Sequence, residues 1–144
     1  DEINMLKITC QLDSWPKTSE SYYPASYTEG VLRFSLDDKE LVVIDGALLV
    51  EFAICCHKWL ITLVEEANAD LNYSSMDFEE ESLFRAKWTN ENKMYFLTSG
   101  LNETFNCFVS LEDLKTAIQT YLDNLENALK TTPIDLKKVL KNIN

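Results

Sequence analysis

The hydrophobic pattern of this chain changes period along its length, and that change restricts the fold more than any other feature. From Met5 to Leu12 apolar residues take alternate positions, with Leu6, Ile8, Cys10 and Leu12 on one face. This is the spacing of a half-buried strand. From Ala47 to Glu66 the spacing becomes three and four, through Leu49, Phe52, Ala53, Cys56, Trp59, Leu60 and Leu63. A stripe of that kind predicts a helix lying on a sheet.

The alternating pattern returns several times. Val31 to Leu36 and Glu40 to Ile44 flank Asp37-Asp38-Lys39 as the arms of a hairpin. Leu83 to Thr89 and Lys93 to Thr98 form a second hairpin across Asn90-Glu91-Asn92, with further strands at Leu71 to Met76 and Thr104 to Val109. Ser110, followed three positions later by Asp113, is a capping-box variant that opens a helix reaching Lys130. Thr132-Pro133, with Asp135 in the first turn, starts a short last helix. Asp45-Gly46 reads as a break, and Asp13 to Gly30 as a long loop or irregular edge. The expected architecture is α+β: one antiparallel sheet of about five to six strands carrying two long helices and a short C-terminal helix. A length of 144 residues fits one domain, covering residues 1–144, with a core that needs neither metal nor disulfide.

Charge narrows the choice of partners. With 13 basic and 24 acidic side chains the net charge is −11, a field that repels nucleic acid and anionic membranes and draws in cationic partners. Lys130 to Asn144 holds four lysines and one aspartate, net +3, so residues 1–129 carry −14. The most apolar stretch, Leu41 to Val64, is interrupted by Asp45, Glu51, His57 and Lys58, which excludes a membrane span. Cys10, Cys55, Cys56 and Cys107 all lie in apolar patterns, and two are adjacent, so free buried thiols in a reducing, cytoplasmic setting are expected. The triplets Asn72-Tyr73-Ser74 and Asn102-Glu103-Thr104 are glycosylation sequons that keep a secreted reading open.

Catalytic patterns are sparse. His57 is the only histidine, and Cys55, Cys56 and His57 point about 100° apart on a helix, so they cannot hold one ion together. A Cys–His nucleophile would need the fold to bring Cys10 or Cys107 to His57. No glycine-rich phosphate loop, GxSxG, HExxH or zinc-ligand spacing occurs. No catalytic residue, metal or cofactor is expected.

Two segments stand out as contact surfaces. Asp77, Glu79, Glu80 and Glu81 surround Phe78; in an extended segment Asp77, Glu79 and Glu81 share one face and Met76, Phe78 and Glu80 the other, which holds a carboxylate row outward, suited to Lys and Arg of a protein partner. Trp15, Tyr22, Tyr23 and Tyr27 place aromatics in a polar stretch, the residue types that dominate binding hot spots.

Tyr22-Tyr23-Pro24-Ala25-Ser26-Tyr27-Thr28-Glu29-Gly30, Leu48-Leu49-Val50-Glu51-Phe52 and Ser75-Met76-Asp77-Phe78-Glu79-Glu80-Glu81 together give the chain a family likeness. From Met5 to Lys130 it resembles immunity proteins of wall-associated, contact-dependent polymorphic toxin systems in Gram-positive bacteria. The resemblance implies a cytoplasmic, non-catalytic inhibitor of a cognate toxin domain, often a nuclease. Such a toxin needs a basic cleft for phosphates, which ordered carboxylates can fill. Two other readings remain open: a nucleic-acid mimic that inhibits a host defence or DNA-binding enzyme, and an enzyme with a fold-assembled Cys/His or carboxylate site. Oligomeric state is open as well.

Overall fold

The computed structural model describes residues 5–18, 23–75, 78 and 82–143. Their strands form two antiparallel sheets in place of the single sheet expected. The first consists of β1 (Leu6–Ser14), β2 (Glu29–Leu36) and β3 (Lys39–Leu48), in that order. The second consists of β4 (Leu71–Tyr73), β5 (Phe84–Thr89), β6 (Met94–Ser99) and β7 (Asn102–Val109). Two long helices, α2 (Leu49–Glu65) and α3 (Leu111–Ala128), accompany the short helices α1 (Tyr23–Tyr27) and α4 (Leu136–Lys141). The α+β class, both long helices and the short C-terminal helix therefore match the expectation.

The sheets stay separate because aromatic side chains occupy the space between them. Phe34 of β2 stacks on Phe84 of β5 at 4.4 Å, and Phe52 of α2 meets both rings edge-on. Phe52 also packs against Tyr73 of β4 at 4.8 Å and Tyr121 of α3 at 5.1 Å. All five rings are buried, so one aromatic cluster joins both sheets and both long helices. Where the sheets do touch, the link is a side chain: Asn102 Nδ2 donates to the Leu41 carbonyl at 2.7 Å.

Local chemistry explains the element boundaries. Asp37 and Asp38 both have positive φ, 51° and 67°, as a two-residue type I′ hairpin turn requires. Asp45-Gly46 is not a break but a bulge inside β3. Leu32 pairs with Ile44 while Gly30 pairs with Ala47, and Gly46 takes the left-handed φ of 66° that such a bulge favours. The strand therefore runs on to Leu48, and α2 begins at Leu49 rather than Ala47. Ser110 caps α3 by accepting from the Asp113 amide at 3.1 Å. Asp135 is the cap of α4 rather than a first-turn residue, accepting from the Lys138 amide. A single 3-10 turn at Leu129–Thr131 tightens the end of α3 before Lys130 is reached as α-helix.

Candidate functional site

The segment read as a long loop contains the end of β1 and the five-residue helix α1. Pro24 sits in the first turn of α1, where its missing amide costs the helix nothing. One helical turn places Tyr23 and Tyr27 side by side, with ring centroids 5.7 Å apart and planes 28° apart. Trp15, Tyr23 and Tyr27 are all exposed large hydrophobics, at 43, 39 and 50 per cent. Tyr22 lies outside the described residues, as do Asp77, Glu79, Glu80 and Glu81.

Strand pairing brings the aromatic segment to the N-terminal end of α2. Ser14 pairs with Glu29, and Glu29 pairs with Leu48, so one row crosses the first sheet at this end. Just beyond that row lie Trp15, the exit of α1 at Thr28, and Leu49. The Leu49 amide, one of the unpaired donors of the first turn of α2, donates to the Thr28 carbonyl at 2.9 Å. Thr28 itself is fully buried, and its Oγ1 has no hydrogen-bond partner among the described residues.

The strand that precedes the acidic run is held at the same end. Tyr73, last residue of β4, donates its hydroxyl to Glu51 Oε1 in the first turn of α2 at 2.7 Å. Burial, reinforced by the hydrogen bond to Glu51, holds the Tyr73 phenol well above its ordinary range, so it stays a donor at neutral pH. Both ends of the 74–82 connection are fixed close by. Leu83 donates its amide to the Tyr73 carbonyl at 2.8 Å, and Ser82 Oγ donates to Asn72 Oδ1 at 2.6 Å. Phe78 is half-buried against the core and its amide closes back on the Ser75 carbonyl.

Elsewhere the chemistry is muted. His57 is half-buried midway along α2. Burial pushes the thiols of Cys10, Cys55 and Cys107 up to about 11 and that of fully buried Cys56 well above its usual value. A nucleophilic cysteine needs the opposite shift. All four cysteines are free thiols. Among the described residues no group of three or more His, Cys, Asp or Glu is placed to hold a metal. No described helix is long and apolar enough to cross a membrane. The Asn102 sequon is committed to structure: Nδ2 bridges the two sheets, and Oδ1 accepts from both the amide and the hydroxyl of Thr104. A glycan on that nitrogen would displace the bridge.

A family model described as Domain of unknown function (DUF7878) matches residues 2–131. The chain belongs to that family. The matched span holds both sheets, α1, α2 and α3, and it ends before α4, so the α2 end with its two rooted segments lies within the DUF7878 domain. No curated protein and no solved structure matches the chain.

Glu51 and Tyr73 form the pair in this region that sequence reasoning missed. They lie 22 positions apart, and no local pattern announces such a pair.

Proposed function

We propose that the chain is an immunity-type inhibitor that binds and neutralises a cognate bacterial toxin domain, of nuclease type, in the cytoplasm and without catalysis. One observation carries the reading: Thr28, which follows the aromatic segment, and Tyr73, which precedes the acidic run, both bond to the first turn of α2, at Leu49 and at Glu51. Exposed aromatic anchors, together with a sequence run dense in carboxylates that follows Tyr73, suit a basic cleft. The rings supply contact area at low entropic cost. The carboxylates steer encounter and pair with Lys and Arg.

The frame supports such a role. An inhibitor gains affinity when its contact residues are held before binding. Here the Tyr23–Tyr27 stack is set by a helix docked on α2, and the flanks of the 74–82 connection are held by the Leu83–Tyr73 and Ser82–Asn72 hydrogen bonds. The charge of −14 over residues 1–129 adds long-range attraction for a cationic partner.

The test is capture of partners from the native organism, followed by mass spectrometry and titration of whatever co-purifies. A 1:1 complex with a basic toxin domain, weakening as salt rises, is the expected result. A DNA-binding or defence enzyme in its place would favour the nucleic-acid-mimic reading. A small-molecule turnover lost in His57→Ala would overturn both.

A further inference from the structure

We infer that β1 is a self-complementary edge through which two copies of this chain form a continuous antiparallel sheet. This does not rest on the toxin reading.

Each of the other three sheet edges carries a side-chain tie. β3 and β7 are tied together by Asn102 and Leu41, and β4 is held against α2, where Cys55 Sγ donates to the Asn72 carbonyl at 3.5 Å. β1 is different. The Met5 carbonyl accepts from the Asp37 amide at 3.0 Å, which fixes the alternation along the strand. Lys7, Thr9 and Gln11 then face β2, while Leu6, Ile8 and Cys10 turn their backbone N–H and C=O groups outward. No partner for these groups is present among the described residues. A mainly apolar groove of about 350 Å³ runs along this edge, between Leu6 and Ile8 on one wall and Ala117 and Thr120 of α3 on the other.

Charge and spacing select a second copy as the occupant. The exposed face of β1 reads Lys7, Thr9, Gln11 and Asp13, one cation and one anion at opposite ends. Gln11 Nε2 donates to Asp13 Oδ1 at 3.3 Å, so Asp13 keeps to this face although the pairing with β2 is irregular between Leu12 and Ser14. Antiparallel pairing of two β1 strands about Cys10 sets Lys7 of each copy opposite Asp13 of the other. It sets Thr9 opposite Gln11, and the outward-facing backbone groups of Ile8 meet those of Leu12. A shift of two positions in either direction loses both ion pairs. On the inner face Leu12 of the second copy enters the groove beside Ala117. Within one chain, among the described residues, Lys7 pairs with exposed Asp38 at 3.5 Å, a contact too solvated to hold it.

Sedimentation and light scattering on the purified chain test this. The expected species has twice the 16.6 kDa chain mass. Lys7→Asp or Asp13→Lys alone weakens the dimer on the order of tenfold, because symmetry alters two pairs at once. The double swap Lys7→Asp/Asp13→Lys restores it. Both side chains are exposed, so circular dichroism should report unchanged folding. Oxidation with diamide should link the copies through Cys10 and fail to do so in Cys10→Ser, since directly paired Cα atoms lie within disulfide reach. A mass of one chain at every concentration overturns the inference, and so does a dimer indifferent to the charge swap.

Discussion

Replacing Phe52 by alanine should remove a large share of the stability of this fold. Phe52 is fully buried and its ring meets Phe34, Tyr73, Phe84 and Tyr121 at centroid distances of 5.7, 4.8, 6.4 and 5.1 Å. Truncation loses the transfer free energy of the ring and leaves a cavity among rigid aromatics with little freedom to collapse. Such substitutions cost about 3–5 kcal/mol, and the aromatic geometry adds about 0.5–1.5 kcal/mol per favourable pair beyond simple burial. A domain of this size has about 5–15 kcal/mol in total, so Phe52→Ala should lie near the edge of folding. Phe52→Leu, which keeps most of the volume, should cost about 1–2 kcal/mol. Urea titration followed by tryptophan fluorescence measures both. A loss below about 1 kcal/mol for Phe52→Ala with an unchanged denaturant slope would refute the view that this ring joins the two sheets and both helices.

Other outcomes follow from the same geometry. Asn102→Ala removes the side-chain bridge to Leu41 and should cost about 1–2 kcal/mol in the same titration. Gly30→Ala should destabilise by more than about 2 kcal/mol, since a Cβ there would overlap the Gln11 carbonyl oxygen; Gly46→Ala, in open space but at φ 66°, should cost only about 1 kcal/mol. Stability should fall as pH rises from about 9 toward 11: the folded thiols of Cys10, Cys55 and Cys107 are pushed up to about 11, so above 9 the unfolded chain releases protons that the fold retains. Denaturation midpoints across that range check the sign, and Ellman's reagent should react slowly with the native thiols at pH 8.

The sequence made the local decisions legible and left the distant ones hidden. The Asp37-Asp38 turn, the Ser110 cap and the alternation of Leu6 and Ile8 each act within a few residues, so periodicity and turn chemistry reveal them. The split into two sheets depends on Phe34 meeting Phe84, fifty positions apart, and nothing local distinguishes that stack from two strands of one sheet. Asp45-Gly46 was ambiguous for a physical reason, because a glycine with positive φ serves a turn and a bulge equally well. α1 is one turn long and holds a proline, so it offers too little periodicity to be seen. Of the candidate surface, the aromatic residues were legible as residue types. Their convergence with the root of the acidic run at one end of α2 was not, because it rests on backbone and side-chain bonds between segments far apart in sequence.

The central claim is that this chain binds a basic partner through the carboxylates of its acidic run, Asp77 to Glu81, together with the exposed tyrosine pair. Calorimetric titration of a captured, verified partner with wild type and with Glu79→Lys/Glu80→Lys/Glu81→Lys tests it most directly. The expected result is wild-type affinity that falls as salt rises, and a loss of about a hundredfold or more in the triple variant, roughly 1 kcal/mol or more per reversed charge. Equal affinity of the two proteins at low salt would contradict the claim.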